Sequence, residues 1–176
     1  PLPPKAKLRL VWGKGIPARN LPQVLTTVEQ RFDFRVLCGR TGSAKSRLLG
    51  ALAEAGAQVL DLEALAVHKG SVLGQVPGAE QPTQKGFETQ LWQAIEALDP
   101  ARPVFVEAES RRIGKVQLPT PVLERMRASP CVELLAPVPA RLAYLLQDYA
   151  YLGDDRAALA QQIGLLRGLH AHAVID

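Results

Sequence analysis

Phe34-Arg35-Val36-Leu37-Cys38-Gly39-Arg40-Thr41-Gly42-Ser43-Ala44-Lys45-Ser46 is the stretch whose reading decides the fold. Its first five residues are β-prone, its next eight are rich in glycine and small polar residues, and Leu48, Leu49, Leu52 and Ala53 then return at helical spacing until Gly56. A second strand, Gln58 to Leu62, follows at once. Strand, loop, helix and strand in so short a span predict an α/β domain with a parallel sheet and right-handed crossovers.

The rest of the chain continues that alternation. Phe87, Leu91, Ile95 and Leu98 mark a helix that ends near Asp99-Pro100, and Pro103 to Glu107 reads as a third, buried strand. Pro121 to Ala128 is the next helix, Cys131 to Leu135 a strand, and Ala140 to Tyr149 and Asp155 to Leu169 terminal helices. Residues 67–85, rich in Gly, Pro, Ser and Gln, carry no strong periodicity, and a stretch of that kind is usually functional or mobile. Residues 1–30 read as an arm or linker with a short helix capped by Asn20, and residues 31–176 as one P-loop α/β domain, a parallel β-sheet flanked by helices like that of P-loop NTPases.

Gly39 to Ser46 matches G-x-x-x-x-G-K-[ST], with Ala44 where the second glycine belongs. In such a loop successive backbone N–H groups face phosphate oxygens, the new helix presents its positive end, the lysine neutralises charge and the hydroxyl ligates magnesium. Gly39, Thr41, Gly42, Ser43, Ala44, Lys45 and Ser46 are therefore the expected phosphate-binding set. A methyl group at Ala44 is harmless at negative φ and strains the loop at positive φ. For the metal, a carboxylate at the end of a neighbouring strand is expected: Glu107 first, Asp61 behind it, with Ser46. Glu63 and Glu109 stand on the same edge of the sheet. Cys38 borders the loop, but a small residue in the first strand explains it better than a nucleophile does.

Totals bound the function. The chain has 176 residues, 47% of them hydrophobic, which suits one compact domain. A net charge of +4 permits an anionic partner, whether nucleotide, pyrophosphate or RNA. Aromatic content of 5% offers few stacking platforms, and no RNA-binding signature is present, so any tRNA contact is expected through shape and phosphates. The two cysteines, Cys38 and Cys131, lack metal-ligand spacing, which argues against a zinc site and a disulfide framework and suits a reducing cytoplasm. Both are read as interior strand residues. His170 and His172 show no metal-site spacing. No apolar run reaches the roughly 18 residues a membrane span requires, and the expectation is a soluble protein with no membrane partner. A chain that begins at Pro1 is expected to be a fragment or a processed product.

Four blocks together resemble the C-terminal P-loop domain of the tRNA 2-selenouridine synthases. They are Gly39 to Ser46, Asp61 to Ser71 (with His68-Lys69-Gly70-Ser71), Gln81-Pro82-Thr83-Gln84-Lys85 with Phe87-Glu88, and Glu107 to Gly114. The resemblance covers about residues 34–146. It implies a transferase that converts 2-thiouridine at the tRNA wobble position to 2-selenouridine through a geranylated intermediate, using selenophosphate and geranyl diphosphate. It also implies a rhodanese-like domain bearing the catalytic cysteine, upstream or in trans, for which there is no room before Asn20. By the same resemblance the loop holds geranyl diphosphate or a nucleotide with Mg2+. His68, Lys69, Gln81, Gln84, Glu109 and Arg111 become possible contacts to substrate or tRNA. The alternatives are a free-standing P-loop ATPase or small-molecule kinase, with Arg111 and Arg112 as its clustered arginines, and a binding module without turnover.

Overall fold

The computed structural model describes residues 32–71 and 73–153, together with 159, 160 and 164. The expected helices at 20–30 and 155–169, and His170 and His172, lie outside the described residues or nearly so. Among the described residues, six strands and five α-helices follow one another: β1 (Phe34–Cys38), α1 (Lys45–Glu54), β2 (Gln58–Leu60), α2 (Leu62–Ala66), α3 (Gln84–Ala97), β3 (Val104–Glu107), β4 (Arg112–Ile113), β5 (Val116–Gln117), α4 (Thr120–Arg127), β6 (Cys131–Glu133) and α5 (Val138–Asp148), which runs into a 3-10 turn at Ala150–Gly153.

The main sheet has the order β2-β3-β1-β6 and is parallel throughout, so the architecture is the P-loop-like α/β sandwich that the strand–loop–helix pattern predicts. β1 lies between β3 and β6, with Leu37 level with Glu107. The carboxyl ends of β1 and β3 are thus side by side, and a parallel sheet binds its ligands in the crevice outside those ends.

Alternation along β1 divides the interior. Phe34 and Val36 join Leu60, Val104 and Val106 in a core sealed by Phe87, Leu91, Trp92 and Ile95 of α3 and by Val122, Leu123 and Met126 of α4. Leu37 and Leu49 are buried outside that cluster, where α1 packs on the sheet. Trp92 and Phe87 are fully buried, each contributing about 1.5–3 kcal/mol or more by leaving water. Thr83 caps α3, its hydroxyl accepting from the Gly86 N–H at 3.1 Å.

Two expectations are corrected and one element is added. The second strand stops at Leu60, because the Asp61 carboxylate accepts from the Ala64 N–H at 2.8 Å and starts α2. Residues 112–117, for which the sequence predicts no element, form the antiparallel hairpin β4–β5, turning at Gly114 with φ 58°. The cysteines are neither separate nor both interior: Cys38 and Cys131 form a disulfide between β1 and β6 with Cα atoms 6.1 Å apart, and Cys131 is exposed. The register pairs Val36 with Cys131, which places Cys131 on the same sheet face as Cys38.

Candidate functional site

The chain leaves β1 through Gly39 and turns into α1 at Ala44. A side chain at Gly39, φ 151°, would come within 2.8 Å of the Leu134 carbonyl oxygen, and one at Gly42, φ 83°, within 2.8 Å of the Arg141 carbonyl oxygen. Both positions therefore require glycine. Ala44 takes φ 60° and ψ 35°, the left-handed region, so it holds a glycine conformation with a methyl group. The N–H groups of the first turn of α1, Lys45 onward, have no intrahelical acceptors and open toward the loop.

Lys45 reaches back over the loop. Its Nζ donates to the Gly39 carbonyl at 3.2 Å and lies 3.5 Å from Glu107 Oε1. Ser46 Oγ lies 2.8 Å from Glu107 Oε2 and 3.2 Å from Glu63 Oε2, and its single proton serves one of them at a time. Glu63, in the first turn of α2, and Glu109, just past β3, complete a group of three carboxylates whose nearest oxygens lie within 4.8 Å of one another. Burial and the neighbouring Glu107 and Glu109 carboxylates push Glu63 up to about 8. Burial and Glu107 push Glu109 up to about 7. Glu107 is raised by burial, against the pull of Ser46 and Lys45. Near neutral pH the group thus holds protons that a cation would displace.

These residues line one cavity of about 350 Å3. The loop contributes Gly39, Thr41, Gly42, Ala44, Lys45 and Ser46; the carboxylates, Lys69, Gly70 and Ser71 form the floor; and Tyr144, Leu145, Asp148 and Tyr149 add a wall. Ser43, a buried residue of the loop, does not line the cavity. Asp61 is engaged as the α2 cap, while Glu63 occupies the place beside Glu107.

The other expected contacts divide. Lys69 and Glu109 line the cavity; His68, Gln81, Gln84 and Arg111 do not. His68 is buried, which lowers its pKa, and its Nδ1 accepts from the Gly70 N–H at 3.2 Å. Gln81 donates to the Ala66 and Ile113 carbonyls and accepts from the Lys115 N–H, and Gln84 bridges both backbone groups of Gln117. The two glutamines fasten the β4–β5 hairpin to the body of the domain. Arg111 is exposed near the hairpin. Sequence reasoning missed the α5 wall and Arg141, whose Nη1 donates to the Thr41 carbonyl at 3.2 Å, because nothing in the spacing of residues 138–148 marks a helix that lies over the loop.

Comparison with known proteins identifies the family. The profile of the tRNA 2-selenouridine synthase AAA domain matches residues 32–174. The tRNA 2-selenouridine synthase of Cupriavidus pinatubonensis is 40% identical over 157 residues, 87% of this chain and 40% of that protein. Its counterpart in Marinobacter nauticus is 40% identical over 138 residues, 76% of this chain and 36% of its own, and that of Alcanivorax borkumensis is 39% identical over 118, 66% and 31% respectively. The chain spans about a third to two fifths of the length of these relatives. No solved structure matches it. Among the described residues no helix is long and apolar enough to cross a membrane. The chain belongs to the tRNA 2-selenouridine synthase family, whose AAA domain it carries.

Proposed function

We propose that this chain is the phosphate-handling domain of a tRNA wobble-uridine modification enzyme, a transferase working in the cytoplasm where its tRNA is found. It holds a di- or triphosphate ligand, geranyl diphosphate or a nucleotide, and helps to dock tRNA. One observation carries the reading: the glycine loop, Lys45, Ser46 and Glu107 converge in a single cavity at the carboxyl edge of a parallel sheet.

Each group has a task there. The N–H groups of the loop and of the first turn of α1 hold phosphate oxygens, and Lys45 supplies the adjacent positive charge. The oxygen donors of Ser46, Glu107, Glu63 and Glu109 suit Mg2+, a hard cation that prefers carboxylate, hydroxyl and water ligands. When bound, the cation neutralises phosphate charge. The net charge of +4 and the exposed Arg111 and Arg112 support contact with the tRNA backbone, which should weaken steeply as salt rises. The relatives' greater length leaves room for a further domain, and the rhodanese-like domain that the resemblance implies would complete the reaction upstream or in trans.

The test is titration of the chain with geranyl diphosphate, ATP and GTP, each with and without Mg2+. Tighter binding of geranyl diphosphate supports the tRNA-modification reading. Preference for ATP or GTP with turnover would replace it by a free-standing ATPase or kinase.

A further inference from the structure

One wall of the cavity is formed by α5 and the residues just after it. α5 has no buried residue, so packing into the core does not set its position. Among the described residues, its side-chain hydrogen bonds and ion pair to the rest of the domain lie toward its two ends. Near its start, Arg141 Nη1 donates to the Thr41 carbonyl of the glycine loop. At its end, Lys69 Nζ donates to the Asp148 carbonyl oxygen at 2.7 Å and stands 3.0 Å from Asp148 Oδ2. The same ammonium lies 4.8 Å from the centre of the Tyr149 ring and 5.0 Å from that of Tyr151, within the range of cation–π attraction. Ser71 Oγ and the Tyr149 hydroxyl share a hydrogen bond of 2.8 Å. Between the two anchors, Tyr144 and Leu145 face the cavity beside Tyr149.

We propose that Lys69 is a positioning residue, and that the wall it holds, Tyr144, Leu145 and Tyr149, is the subsite for the organic half of a diphosphate ester. The inference rests on the phosphate-site reading above. Its chemistry follows from what each group has left to offer. Lys69 is compensated by Asp148, and the Tyr149 hydroxyl is engaged by Ser71, so this wall presents mainly ring faces and a leucine side chain. Open N–H donors are concentrated instead at the loop, beside Lys45, whose partner Glu107 is the carboxylate a bound cation would engage. A phosphate is thereby drawn to one end of the cavity and an apolar or aromatic group to the other.

The roles separate in a titration of the parent, Asp148→Asn, Lys69→Met and Lys69→Arg with Mg2+-pyrophosphate, Mg2+-geranyl diphosphate and Mg2+-ADP. Asp148→Asn keeps the lysine charge and removes its partner. It should weaken at least one ester about tenfold while pyrophosphate stays within about threefold or binds more tightly. Lys69→Met should weaken the same ester more than pyrophosphate, and Lys69→Arg should recover most of that loss. Equal loss for ester and pyrophosphate in Asp148→Asn, with thermal melts showing a folded protein, would overturn the proposal, as would no loss in any variant. A parent that fails to bind pyrophosphate overturns the phosphate-site reading itself, and the inference with it.

Discussion

Lys45 Nζ and Glu107 Oε1 face each other at 3.5 Å, with side chains only 14% and 7% exposed, and Ser46 donates to the other Glu107 oxygen at 2.8 Å. Without ligand, the cation of the loop and the carboxylate of β3 therefore compensate each other. Glu107→Gln breaks this balance in one direction. It should raise affinity for pyrophosphate without Mg2+ about threefold or more, because a nearby negative charge is gone, and should abolish the gain that Mg2+ gives the parent. Paired titrations with and without the cation measure both effects.

Ala44→Gly should stabilise the fold. Ala44 sits at φ 60°, where an L side chain costs about 1–2 kcal/mol and glycine costs nothing sterically, though glycine returns some of that gain as chain entropy. A rise of about 2–4 °C in melting temperature is expected for about 1 kcal/mol in a chain of this size, with phosphate binding unchanged or stronger. A large loss of binding would show that the methyl group contributes to the loop.

What was legible in the residues follows from how local each signal is. The loop and its flanking strand and helix are contiguous, so Phe34 to Glu54 could be read directly, and the apolar spacing of Phe87, Leu91 and Ile95 gave α3. Asp61 was harder, since a carboxylate after a strand can face the ligand or cap a helix, and the Ala64 N–H decides for the cap. The β4–β5 hairpin has only two residues per strand, too few for alternation to show, although Gly114-Lys115 between Ile113 and Val116 is a two-residue turn signal. The disulfide and the α5 wall depend on residues about a hundred positions apart meeting in space, and no spacing rule encodes that.

Stability should depend on pH in a direction set by the carboxylate group. Glu63 rises to about 8 and Glu109 to about 7 from an ordinary value of 4.5, so above 4.5 the folded state holds protons that the unfolded state has released. Their contribution is greatest below 4.5 and is lost as pH climbs through about 7 to 8. His68, lowered by burial, works against the fold only as pH falls through its ordinary 6.5, which leaves the range from 6.5 to 8.5 to the carboxylates. Melting temperature without divalent cation should therefore decline across that range. Glu63→Gln should flatten the slope, and Mg2+ should reverse it; a flat parent profile would contradict the account.

Gly70 supports the same group. At φ 65°, a side chain there would come within 2.6 Å of Glu63 Oε1 and 2.9 Å of Glu109 Oε1. Gly70→Ala should cost about 1–2 kcal/mol from the backbone conformation and weaken Mg2+ binding more than it weakens cation-free pyrophosphate binding. Equal effects on the two would argue that the residue serves the fold alone.

The central claim, that Gly39 to Ser46 is a phosphate site, is tested most directly by calorimetric titration of parent and Lys45→Ala with Mg2+-pyrophosphate. Removing a charge-assisted contact worth about 1.5–3 kcal/mol should weaken binding about 10- to 100-fold, while the melt stays cooperative because Glu107, already raised, can take up a proton. Equal affinity in the two proteins, or no binding by the parent, would contradict the claim.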